Sequence, residues 1–184
     1  MPQNWLRTDE KENAVDSLEM TAQLLISLKD TNRSSLWKWI SISLFNALYG
    51  FCISAIQGTN SDRVKELDKK TGLFKDKLIR FSEALKRTQD DGFMRQYTNS
   101  GTLSLTSGQK KSLEKLRKDI RNNFEHFIPK GWSIEISGMP KIVSDVVDVI
   151  EFLAFSSGNP LWDQDLNHEQ RIRDAIGKIR TCLL

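Results

Sequence analysis

The sequence predicts an all-α fold, a single-domain bundle of five or six helices spanning residues 1–184. Three observations point there. Apolar residues recur at spacings of three and four through most of the long segments, which marks buried helical stripes. Short breaks carrying Gly, Pro, Asn or Asp separate those segments. Only residues 132–137, WSIEIS, alternate in the manner of an extended segment, and they are too few to found a sheet domain. A chain of 184 residues is long enough for a full hydrophobic core, and no internal repeat or low-complexity tract divides it.

The first helix is expected over residues 10–29, with Ala14, Leu18, Leu25 and Leu28 on one side. Asp30, Thr31 and Asn32 end it and offer a cap to the next element. Residues 34–57, SSLWKWISISLFNALYGFCISAIQ, form a second helix that is apolar nearly all round and closes at Gly58. Its length would allow a membrane span. Lys38, Ser41, Ser43, Asn46 and Ser54 scattered through it favour a central bundle helix instead, and no membrane association is expected. Residues 57–62 are a turn. Residues 63–89 are expected to be a charged helical region interrupted at Gly72, with Leu67, Leu73, Phe74, Leu78, Phe81 and Leu85 facing inward.

Residues 92–107 hold turn-formers and read as a loop, after which Thr106 or Ser107 caps a helix over residues 108–127. Pro140 suits the first turn of a helix running to Phe155, buried through Ile142, Val143, Val146, Val149, Ile150 and Leu153. Its Asp145, Asp148 and Glu151 are expected to form a solvent-facing acidic stripe. Residues 156–165 are a loop. Asn167 is placed to cap a last helix packed through Ile172, Ala175, Ile176 and Ile179, which leaves His168 at the surface. Trp37, Trp39 and Trp132 are expected as core or interface anchors.

Composition narrows the function classes. A net charge of +3 does not by itself imply a nucleic-acid partner, so any such case rests on where the charge lies. Cys52 and Cys182 supply neither a metal-ligand spacing nor a disulfide framework, and the N-terminal residues do not resemble a secretory signal. A reducing, cytoplasmic setting is expected. With two His and two Cys spread far apart, no metal site is expected, and no P-loop, GxGxxG or nucleophile elbow is present.

The helix over residues 108–127 concentrates the chemistry. Leu113, Leu116, Ile120, Phe124 and Phe127 form its buried stripe. At about 100° per residue, Lys111, Lys115, Lys118, Asn122 and His126 fall opposite, with Arg121 and Glu125 beside them. Pro129 and Gly131 then stop the helix. Arg121 could simply pair with Glu125 for a few tenths of a kcal/mol, and His126 could simply interact with the last carbonyls. Asn122 directly after Arg121, the helix end and the outward face together favour a functional group. Five positions set Arg121 and His126 about 140° apart on an ideal helix. They can converge only through the long Arg side chain, a loosened last turn or a symmetry-related copy.

RNNFEH, residues 121–126, matches the RNxxxH form of the R-x4-6-H motif, and on it the chain resembles the HEPN superfamily (higher eukaryotes and prokaryotes nucleotide-binding domains). The runs WKWISISLFNALYGF and IRNNFEHFIPKGWSIE also resemble an uncharacterised bacterial HEPN-like group. The resemblance implies a HEPN-like bundle whose motif helix lines a cleft, commonly completed by a second copy in a homodimer. It also implies a metal-independent endoribonuclease that needs no cofactor, set among toxins with their antitoxins or other protein partners, or among phage-defence effectors. Alternatively, it implies a non-catalytic module that binds a nucleotide, RNA or protein. On the motif, Arg121, Asn122 and His126 are the catalytic candidates.

RNA carries its own nucleophile, the 2′-hydroxyl, so no metal is required to activate water. A histidine ordinarily titrates near 6.5 and exchanges protons at neutral pH. Arg121 would offset charge on the phosphorane-like transition state, and Asn122 would orient the His or hold a phosphate oxygen. Lys111, Lys115 and Lys118 would guide the RNA backbone.

Overall fold

The computed structural model describes residues 8–96, 100–125, 131, 133–158, 160, 162–164 and 166–184. Within them the regular structure is helical apart from one two-stranded antiparallel hairpin. Helix α1 (Glu10–Thr31) starts where Asp9 accepts the Glu12 N–H at 2.8 Å. It ends at Asn32, in the left-handed conformation at φ 49°, whose N–H reaches the Leu28 carbonyl. Helix α2 (Leu36–Gln57) follows and stops at Gly58, at φ 53°.

As its all-round apolar sequence predicts, α2 runs through the core. Helices α1, α3 (Phe81–Thr88) and α7 (Met139–Glu151) pack on it, and so does the motif helix described below. It is the one described helix long and apolar enough to cross a membrane, and 78% of its apolar window is buried inside the fold. The α1 contact is close: a Cβ added at Gly50 would stand 2.6 Å from the Cβ of Ala14, so only glycine lets the two helices approach this far.

Residues 63–78 depart from the expected helix. After a 3-10 turn (Ser61–Val64), β1 (Lys65–Leu67) and β2 (Phe74–Leu78) pair with Leu67 opposite Phe74 and Lys65 opposite Leu78. The reason is local. Asp68 accepts the Lys70 N–H at 2.8 Å, Gly72 adopts φ 69°, and Lys75 and Lys77 reach across to Asp68 and Glu66. Leu67, Leu73, Phe74 and Leu78, expected to face inward, are exposed instead, Leu73 at 69%. Phe81 is buried and Leu85 half-buried, as expected. The expected loop after Gly92 contains a short helix, α4 (Asp91–Met94), which Asp90 caps and which buries Met94. The described part of the 132–137 stretch forms no strand, and Trp132 lies outside the described residues.

Trp37 is a core residue, as expected, while Trp39 is 53% exposed and could anchor only an interface. Two further expectations are corrected. Asp145 is buried at 5% exposure, because α5 (Ser107–Lys115) packs on α7 there and its Ser112 hydroxyl donates to the carboxylate at 2.6 Å, with Lys141 also bonded. Asp148 and Glu151 do face outward, where Arg180 binds both. His168, expected at the surface, is only 1% exposed at the start of α8 (His168–Leu183). Its Nδ1 accepts the Asp163 N–H at 3.3 Å, so Nε2 carries the proton and donates to Glu12 at 2.7 Å. Arg171 adds bonds to Glu12, Asp16 and Glu19, tying α8 to α1.

Burial works to raise the Glu12 carboxyl, but hydrogen bonds from His168 and Arg171 outweigh it and hold the group below its ordinary 4.5. The folded state therefore binds the Glu12 proton more weakly than the unfolded chain. Its contribution is fully present above about pH 4.5 and is lost as pH falls through the lower folded value. Glu12→Gln is expected to flatten the loss of stability below that pH, measured as urea midpoints near pH 7 and near pH 3.5. An unchanged acid slope would remove Glu12 as its source.

Candidate functional site

The motif helix begins with a complete capping box. Gln109 donates its backbone N–H to Thr106 Oγ1 at 3.1 Å, and Thr106 N–H donates to Gln109 Oε1 at 3.0 Å. From there α5 (Ser107–Lys115) passes into a π-helical turn (Leu116–Arg121) and then α6 (Asn122–Glu125). Leu113, Leu116 and Ile120 are buried and Phe124 packs on the core from a half-buried position, as the stripe predicts. Phe127 lies outside the described residues.

The π turn changes what lies beyond it. Asn122 N–H bonds the Arg117 carbonyl five residues back, so the turn holds an extra residue and later side chains rotate relative to an ideal α-helix. Arg121 and Asn122, predicted beside and opposite the core stripe, are both half-buried. The Arg121 guanidinium lies 4.9 Å from the centre of the Phe45 ring, and its Nη1 donates to Asn122 Oδ1 at 3.2 Å. Phe45 in turn packs on Phe81 with ring centres 4.9 Å apart. Two of the three motif side chains are thus brought together, with Arg121 resting on an aromatic seat supplied by α2. The third, His126, lies outside the described residues.

The predicted lysine row divides. Lys111 and Lys115 are exposed and unpaired among the described residues. Lys118 is ion-paired with Glu114, and that ammonium holds the Glu114 carboxyl below its ordinary value. A groove of about 610 Å³ opens between α3 and α5, edged by Lys86, Lys110 and Arg117. Sequence reasoning missed these three and Phe45. Lys110 and Arg117 stand seven residues apart and share a helix face on periodicity alone, whereas nothing local brings Lys86 or Phe45 to this helix.

Other chemistry is sparse. Burial pushes the Cys52 thiol up, which keeps it a packed, unreactive side chain. Among the described residues, no group of three His, Cys, Asp or Glu could hold a metal ion. No family model, curated protein or solved structure matches the chain.

Proposed function

We propose that the protein is a metal-independent endoribonuclease of HEPN type, acting as a cytoplasmic homodimer in a toxin or phage-defence setting. The observation that carries this is the preordered pair of Arg121 and Asn122, held side by side at a π turn in the helix that bears the RNxxxH motif. Such turns recur at functional sites because they re-aim side chains at a cost in backbone hydrogen bonding. In the reaction, His126 of one copy takes the proton of the RNA 2′-hydroxyl, whose oxygen attacks the adjacent phosphorus. The P–O5′ bond breaks, and His126 of the second copy returns a proton to the leaving oxygen. The products are a 2′,3′-cyclic phosphate and a 5′-hydroxyl. Arg121 stabilises charge on the equatorial oxygens, Asn122 orients the histidine or a phosphate oxygen, and Lys111 and Lys115 attract the backbone, with Lys118 joining when it leaves Glu114.

Incubating the protein with RNA in EDTA tests the proposal. Cleavage should survive the chelator and fall by about 10²–10⁴-fold in His126→Ala, the usual worth of general acid–base catalysis. RNA binding without cleavage in the parent protein would favour a non-catalytic nucleotide- or RNA-binding module, for which the half-burial of Arg121 also speaks.

A further inference from the structure

We infer that the groove between α3 and α5 is a docking site for an acidic amphipathic helix of a protein partner. Its open apolar lining comes from the half-buried Leu85 and Leu105, with Leu113 and Phe81 buried behind them, and its edges carry Lys86, Lys110 and Arg117. None of these three cations has an ion-pair partner among the described residues. Of the two carboxylates that also line the groove, Glu114 is ion-paired with Lys118 and also feels the Arg117 charge, and Asp90 accepts the Phe93 N–H that it caps. With Glu114 offset by Lys118, the three lining cations outweigh Asp90, and the groove carries net positive charge above an aliphatic floor.

That combination selects one class of occupant. Lys110 and Arg117 are seven residues apart, roughly 10 Å along a helix axis at 1.5 Å per residue. Two carboxylates two turns apart on a helix laid alongside match that separation, with leucine-type side chains between them entering the floor. A single RNA strand fits less well, since sequence-tolerant strand binding uses exposed aromatic platforms. The one aromatic lining residue, Phe81, is buried beneath the floor at 8% exposure. Phe81 also packs on Phe45, the ring beneath Arg121, so the docked helix lies next to the motif pair. The docking itself does not depend on the ribonuclease proposal.

Fluorescence anisotropy tests it with an 18-residue labelled helical peptide bearing leucines on one face and glutamates two turns apart beside them. Three probes serve as controls: a scrambled peptide of the same composition, a peptide with lysine for glutamate, and a 12-nucleotide 2′-O-methyl oligouridylate. The acidic peptide should bind better than the scrambled one and weaken by about tenfold or more in Lys110→Glu/Arg117→Glu, a variant checked for folding by circular dichroism. The lysine peptide should show the reverse preference and bind that variant better than the parent. Equal binding of the acidic and scrambled peptides, or no binding of either, overturns the inference. So does loss of oligouridylate binding in the variant while the acidic peptide is unaffected, which would make the groove a nucleic-acid track.

Discussion

Phe51→Ala is expected to cost about 3–5 kcal/mol of folding stability, the usual range for deleting a fully buried aromatic ring. Phe51 is 0% exposed in the middle of α2, and its ring centre lies 5.5 Å from that of Trp162. Trp162 donates its Nε1–H to the Ala154 carbonyl at 2.9 Å and meets the His168 ring edge-on. Removing Phe51 thus leaves a cavity where the end of the α7 segment and the start of α8 meet the central helix. Urea denaturation of the parent and variant measures the loss. Trp39→Ala, on an exposed side chain of the same helix, should change stability by no more than about 0.5 kcal/mol. Similar costs for the two would contradict the central placement of α2.

The second large effect concerns Arg121. In the cleavage assay, Arg121→Ala should slow the reaction by about 10²–10³-fold, the usual loss when one donor to a developing oxyanion is removed. Arg121→Lys keeps the charge but loses the planar fork that bonds Asn122 and stacks on Phe45, so it should recover only a small part of the rate. Phe45→Leu separates seat from chemistry. It preserves the guanidinium and removes the ring beneath it, so kcat should fall while the fold stays intact by circular dichroism. An Arg121→Ala protein that cleaves as fast as its parent would end the proposed mechanism.

Much of the helical framework was legible because its signals are local. Ala14, Leu18 and Leu25 lie on the buried face of α1, and Leu113, Leu116 and Ile120 on that of the motif helix, at the spacings that imply them. Thr106 caps as a threonine before a glutamine three residues on should. Residues 63–78 misled because their apolar spacing fits a helix as well as a hairpin. The turn around Asp68 and Gly72, with its cross-strand ion pairs, favours the hairpin.

By itself the sequence determined the all-α class, the central place of α2 and the adjacency of Arg121 to Asn122, because each is written in local spacing, in an all-round apolar composition or in chain neighbourhood. Tertiary structure alone decided that His168 and Asp145 are buried, that Lys86 shares a groove with Lys110 and Arg117, and that Arg121 rests on Phe45. These pairings join residues from separate helices. Their free energy comes from shared burial and cross-helix hydrogen bonds, which arise only once the helices pack and leave no period in the chain.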